Sequence, residues 1–349
     1  MTPAERPVQT PTTGPEGDRR RVLVTGGAGF IGSHLVDRLL ARGDSVTVVD
    51  NLSTGSRANL PEHERLTLLE SGLSAAIPTL SAGRARFDEV YHLAAAVGVQ
   101  LVMDAPGDSI KTNILETIAL LEFAAACDAP PAVLIASSSE VYGKGARSPF
   151  AEHDDVVYGP TTVARWSYGM SKALDEHLAL AHHRATGLPV VVARFFNTVG
   201  PRQVGSYGMV LPRFVAAALA DEPLVVHGTG EQTRCFCDVR DVATALPRLV
   251  AEPAARGKVL NLGSDVEITI RRLAETVIAT LGSASEIRHI PYEQAFPEGF
   301  EDLARRRSDL TRVRRVIGFE ASVPLERTIL DIAERQRASR TGPAAQVRA

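Results

Sequence analysis

The chain has 349 residues, with 38 Lys and Arg against 41 Asp and Glu for a formal net charge of -3. That length buries a large core, in one big domain or two closely joined ones. The near-balanced charge gives no electrostatic case for nucleic acid or an anionic membrane, and no apolar run is long enough to span a bilayer.

In chain order, residues 1–19 are rich in Pro, Thr and Gly, lack an apolar signal segment and read as a disordered tail. "RVLVT" is a β-branched strand that stops at "GGAGFIGS", and "HLVDRLLARG" follows with helical spacing and a terminal Gly. "SVTVVD", "RLTLLE" and "DEVYHLA" are further strands. "NILETIALLEFAAA" is a helix, "PAVLIAS" a strand, "SYGMSKALDEHLALAHHRATG" a long helix and "LPVVVARF" another strand. Strands alternating with helices predict an α/β fold, a Rossmann-type doubly wound parallel sheet covered on both faces. An edge or return segment is expected near "CFCDVRDVATAL".

After residue 198 the alternation breaks down into loop-rich stretches such as "GPRQVGSYGMVLPRF" and "PYEQAFPEGFEDLARRRSD". The division this suggests is a dinucleotide-binding domain over 20–198 with a return segment at about 234–252. A smaller mixed α/β substrate lobe takes 199–233 and 253–335, and 336–349 form a second tail. Cys127, Cys235 and Cys237 lack zinc-like spacing, so neither a disulfide framework nor a metal is expected, and the compartment reads as a reducing cytoplasm. The pair in "RCFCD" is either reactive or simply spaced by the period of a strand.

Glycines 26, 29 and 32 stand between a strand and a helix. Such residues let backbone approach a pyrophosphate, and the helix N-terminus supplies free N–H groups there. The next strand ends in Asp50, placed to accept both hydroxyls of an adenosine ribose and to repel a 2′-phosphate, which favours NAD over NADP. Phe30 and Ile31 open the helix, and Leu93, Ala94 and Ala95 end another strand at the same edge. Asn51, Ser53, Thr54 and Gly55 either contact the same ribose or build the turn. His92 reads as a packed strand histidine.

Tyr168 and Lys172 lie four apart on one helix face. A neighbouring ammonium favours the phenolate of an otherwise weak base, so the pair reads as a general base, or as a chance helical spacing. "SSSEVYG" ends an apolar strand in three hydroxyls and a carboxylate, which either reach solvent or face a bound molecule.

Together "GGAGFIGS", "YHLAA", "SSSEVYG", "YGMSK" and "RFFNTVGPR" resemble the extended short-chain dehydrogenase/reductase family that remodels nucleotide sugars, over about residues 21–330. The resemblance implies bound NAD, a UDP-sugar in the smaller lobe, and a homodimer packed through helices near 113–128 and 167–186. It makes Tyr168, Lys172 and Ser138 the catalytic group, with Ser138 on the sugar 4-OH. Ser139 and Glu140 fill the positions that vary with the reaction. Dehydratases carry an acid where this chain has Ser139, and simple 4-epimerases do not carry Glu140. A Ser-Glu pair resembles UDP-glucuronate decarboxylases, as does Arg306 in "ARRRSDL", unless residues 305–307 are only a solvated basic run. By the same resemblance Asn197, Arg202, Arg213, Arg234 and Arg306 contact the substrate, and Asn113 either positions the catalytic group or caps its helix. The family's adenine-binding Asp is missing from "LLESGLSAAI", which leaves the backbone around Gly72 and Leu73. A 4-epimerase using the same residues is the second reading. A silent NAD-binding subunit is the third, and the intact Ser138, Tyr168 and Lys172 oppose it.

Overall fold

The structure, a computed structural model, describes residues 19–82, 86–95, 106–145, 147–205, 209–295 and 303–341. Its centre is a seven-stranded sheet: β1 Arg21–Thr25, β2 Ser45–Val49, β3 Leu66–Leu69, β4 Glu89–His92, β5 Ala132–Ser138, β6 Val190–Phe195 and β11 Lys258–Leu262. The spatial order is β11-β6-β5-β4-β1-β2-β3, and every pairing is parallel. The order reverses between β1 and β4, where such sheets leave a crevice at their carboxyl ends.

Side chains on alternate strand positions build two separate cores, as a sheet buried on both faces requires. Val22, Val24, Leu134 and Val191 face α1 (Phe30–Arg42) and α6 (Val239–Ala251). Leu23, Val133, Ile135 and Val192 share the other core with residues of α2 (Leu73–Ala82), α3 (Pro106–Ala125) and α4 (Ser167–Thr186). At about 25 cal/mol per Å², each fully buried Val, Leu or Ile contributes roughly 1.5–3 kcal/mol.

A third core lies in the smaller lobe. Leu211, Phe214 and Val215 of α5 (Val210–Ala218) pack with Leu273 and Val277 of α7 (Ile270–Leu281) and with Ile329 and Ala333 of the last helix, α10 (Leu325–Thr341). Beside it, β8 (Leu224–His227) pairs with β13 (Ile287–Ile290). A three-stranded sheet joins β12 (Glu267–Thr269), β9 (Thr233–Cys235) and β14 (Arg305–Arg306).

Three details differ from the sequence expectation. Lys258–Leu262 falls in a stretch assigned to the smaller lobe, yet it completes the main sheet against β6. Cys237–Asp238 does not edge that sheet; it pairs with Thr198–Val199 in a small sheet of its own, and α6 after it covers the main one. Residues 336–341, assigned to the tail, continue α10. The two strand misses involve short segments whose pairing partners lie far away in sequence, Val190–Phe195 and Thr198–Val199.

Candidate active site

The glycine loop lies against the β4 end. Gly26 has φ +70°, and a Cβ there would lie 2.7 Å from the Ala94 nitrogen. At Gly32 a Cβ would fall 2.1 Å from the Gly26 carbonyl oxygen, so α1 starts closer to β1 than any side chain permits. Gly29 precedes α1 with no side-chain cap and no acid in the first turn. The amides at Phe30 and Ile31 therefore open toward the crevice with their donors unspent, which suits an anion.

Asp50, 8% exposed, takes the Ala28 N–H on Oδ2 (2.9 Å) and the Leu52 N–H on Oδ1 (2.8 Å). Each oxygen keeps a lone pair, and Gly55 packs against Oδ1. Asn51 is exposed and its side chain accepts from Ser53 N, so it serves the turn; Ser53 is exposed and Thr54 half-buried. Leu93, Ala94 and Ala95 leave β4 half-buried at the same edge. Leu73 is buried at the start of α2, whose Ser74 N–H donates to Glu116 of α3.

The three hydroxyls of "SSSEVYG" take different directions. Ser137 points inward and donates to Glu176, which also accepts two hydrogen bonds from Arg194 at 2.8 and 2.7 Å. That buried cluster pins the ends of β5 and β6 to α4. Ser138 caps the next turn by accepting from Glu140 N–H, and its hydroxyl lies close enough to the Tyr168 phenol to act on it. Ser139 is buried.

Burial pushes the Tyr168 phenol well above its ordinary value, Glu140 and Asp175 add to that, and Ser138 pulls it back. The Lys172 ammonium is directed to Asp175 of its own helix, Nζ to Oδ2 2.9 Å. Asn113, buried on α3, donates to Ser171 on the same turn of α4.

Glu140 is gripped from two sides. Arg165 Nη1 reaches Oε2 at 2.6 Å, and Arg306 Nη1 reaches Oε1 at 2.6 Å. Burial works to raise its carboxyl, but Arg306 and Arg165 together hold it down at about 2. One carboxylate between two guanidiniums leaves a net positive pocket beside Ser138 and Tyr168, and Arg306 Nε has no partner among the described residues. Arg165 was not singled out from sequence, although it precedes Tyr168 by three residues and so shares its helical turn.

The remaining candidates separate into two groups. Arg306 and Arg234 stand in register on β14 and β9, and Arg234 donates to the Thr233 and Leu303 carbonyls. Asn197 (φ +21°) donates to the Cys235 carbonyl and tethers the β6 end to β9. Arg213 is half-buried on α5 beside Gly205. Arg202 turns the other way and pairs with Asp37 of α1 at 2.8 Å.

Known proteins match this arrangement. The model of the NAD dependent epimerase/dehydratase family matches residues 22–263. A UDP-N-acetyl-alpha-D-glucosaminuronate decarboxylase of Bacillus cytotoxicus is 40% identical over 88% of this chain and 95% of its own. A UDP-glucuronic acid decarboxylase 1 of Xenopus tropicalis is 36% identical over 89% of this chain and 70% of its own. The structure of a Thermus thermophilus UDP-glucose 4-epimerase in complex with NAD superposes with a TM-score of 0.79 at 28% identity, over 91% of this chain and 99% of that one.

Proposed function

The chain belongs to the NAD dependent epimerase/dehydratase family, and from that premise we propose that it is an NAD-dependent UDP-glucuronate decarboxylase that forms UDP-xylose. The observation that carries the reading is Glu140 clamped between Arg165 and Arg306 beside Ser138 and Tyr168. A positive pocket of this kind suits a sugar carboxylate, and decarboxylases are among the relatives.

The glycine cradle, the uncapped α1 and the half-used Asp50 carboxylate fit a dinucleotide. Phe30 and Ile31 N–H would hold its pyrophosphate, and Asp50 its adenosine ribose. NAD, when bound, would supply a hydride acceptor and donor for sugar C4 and a positive ring that favours the Tyr168 phenolate. Tyr168 takes the 4-OH proton, assisted by Ser138 and by the charge of Lys172. The 4-ketone lies β to the C6 carboxylate, so the C5–C6 bond breaks, carbon dioxide leaves and its electron pair enters an enolate. Arg306 holds the carboxylate beforehand, Ser139 and Glu140 orient the sugar and a water, and that water gives C5 its proton and leaves as hydroxide. Tyr168 gives its proton back to O4 as the ketone is reduced.

The domain division follows. The cofactor lies in 20–198. The UDP-sugar lies against 199–233 and 253–335 less β11, with Asn197, Arg234 and Arg213 on the nucleotide side. We place the enzyme in the cytoplasm as a homodimer. Leu115 and Leu174, 49% and 48% exposed on the mutually packed α3 and α4, support that packing. A 4-epimerase reading keeps the same first step and is favoured by the fold of the Thermus relative.

Incubation of the NAD-loaded enzyme with UDP-glucuronate, and separately with its 2-acetamido counterpart, followed by mass spectrometry, decides between them. Loss of carbon dioxide is expected. A product of unchanged mass and new retention time would overturn decarboxylation.

A further inference from the structure

Lys172 and Asp175 form an ion pair with 2% and 0% side-chain exposure. On energy alone such a pair has little to recommend it over packed apolar groups. It is, however, the end of a longer chain of polar side chains. The Thr117 hydroxyl faces the Asp175 carboxylate. Thr117 Oγ1 lies 3.2 Å from His92 Nε2, and His92 Nδ1 lies 2.7 Å from Thr25 Oγ1. Thr25 Oγ1 in turn accepts the Ala94 N–H at 3.3 Å, at the strand end beside the glycine loop. Thr25, His92, Thr117, Lys172 and Asp175 are all buried, and they come from β1, β4, α3 and α4.

The direction of the chain follows from its terminus. A carboxylate only accepts, so the Thr117 hydroxyl can serve Asp175 only as a donor, an order that leaves Thr117 to accept from His92 Nε2–H. Nδ1 is then the acceptor, filled by Thr25 O–H, while Thr25 accepts from Ala94. Burial, with the Lys172 charge, lowers His92 to about 3 and keeps the ring in the neutral form this order needs. Asp175 itself is raised by burial and pulled back by Lys172 and Thr117. Thr117 approaches Asp175 without a hydrogen bond, and Asp175 Oδ1 has no hydrogen-bond partner among the described residues, so the Lys172 ammonium is the one donor the carboxylate holds there.

We propose that Asp175 is a positioning residue for hydride transfer. Through its buried 2.9 Å ion pair it holds the Lys172 ammonium charged and in place near the start of α4. The inference rests on the reading of Tyr168 and Lys172 given above. Its sign is testable because Asp175 has two opposed influences. The groups acting on Tyr168 are Glu140 and Ser138 from the β5 end and Asp175 from its own helix; Lys172 faces Asp175, and His92 faces Lys172 from β4. Acting on Tyr168 through space, Asp175 disfavours loss of the phenol proton. Acting through Lys172, it favours that loss, because a buried ammonium without a counter-ion is disfavoured in its charged form.

The test uses the NAD-loaded enzyme with UDP-glucuronate, following reduced nicotinamide in single turnovers across pH. In Asp175→Asn the rising limb is expected to move up by about one pH unit, which lowers kcat about tenfold near neutral pH. KM should stay within about twofold, as expected for an interaction made only in the transition state. Thr117→Val, close to Thr in shape, gives a smaller shift of the same sign and decides the matter if Asp175→Asn does not fold. On a Lys172→Met background, Asp175→Asn should add nothing.

A second readout needs no turnover. The chain has only four lysines, Lys111, Lys144, Lys172 and Lys258, so [15N]lysine labelling gives a countable spectrum. The Lys172 signal, assigned by its loss in Lys172→Met, should turn to the neutral amine at lower pH in Asp175→Asn than in the parent. A limb that moves down or stays, or an unmoved Lys172 signal, overturns the proposal. If the parent never reduces NAD with UDP-glucuronate, the function reading fails, and the lysine titration still decides the role of Asp175.

Discussion

Replacing Glu140 by Gln removes the carboxylate from between two guanidiniums that are 8% and 7% exposed. The carboxyl is lowered from its ordinary 4.5 to about 2 despite burial, through Arg306 and Arg165. At about 1.36 kcal/mol per unit, that difference corresponds to about 3 kcal/mol of folded-state stability at neutral pH. Glu140 is only 18% exposed, so little of this is lost to solvent screening. A comparable figure, roughly 3–5 kcal/mol, is the usual result of removing one partner from a buried pair. Because the folded value is depressed, the contribution is complete above the unfolded value and fades as pH falls toward the folded one. By about pH 3.5 roughly 1 kcal/mol of it is gone. Urea unfolding in excess NAD should therefore separate the parent from Glu140→Gln by about 3 kcal/mol at about pH 7, and by about 2 kcal/mol at about pH 3.5. A gap below about 1 kcal/mol at neutral pH, or one that does not narrow in acid, would refute the clamp as a stabilising element.

Asp50→Ala removes the ribose acceptor and should raise the Kd for NAD by about 10- to 100-fold, from the roughly 1.5–3 kcal/mol of charge-assisted hydrogen bonds. NADP should weaken less, and calorimetry that finds equal losses would sink the ribose assignment. Trp166 is the only tryptophan, 2% exposed, with the Arg165 guanidinium carbon 5.5 Å from its ring centroid. Its emission should change when UDP-glucuronate reaches the Glu140 clamp and stay constant in Arg165→Met; a response that survives the substitution places the sugar elsewhere.

What could be read from the sequence is what the backbone and local spacing encode. The glycine loop, the strand ending in Asp50 and the Tyr168–Lys172 spacing all follow from elements a few residues long, and each stands where expected. Arg165 escaped because its partner Glu140 lies 25 residues earlier across a loop. Asp175 was visible in principle as an i,i+3 partner of Lys172, but an acid and a base on a helix usually mark a solvated face. "KVLNL" is too short to reveal which sheet it joins, and only its pairing with β6 settles that. Arg202 carries a motif resemblance yet turns to Asp37, since a local motif does not fix the direction of a long side chain.

The distance in sequence between Glu140 and Arg306, 166 residues, has a consequence for the order in which the protein is made. The segment that carries Arg306 is stitched to the β5 loop by further long-range bonds. Phe150 N donates to Arg307 O, Asp309 N donates to Phe150 O, and Asn261 Nδ2 donates to both Phe150 O and Asp309 O. A ribosome that has released residues 20–198 has delivered every candidate ligand of the dinucleotide but only one arm of the clamp. Competence to hold the sugar arrives with the last sixth of the polypeptide. Because α6 and β11, which cover and complete the main sheet, also follow residue 198, a chain stopped there lacks part of the cofactor domain's own core as well as the substrate site.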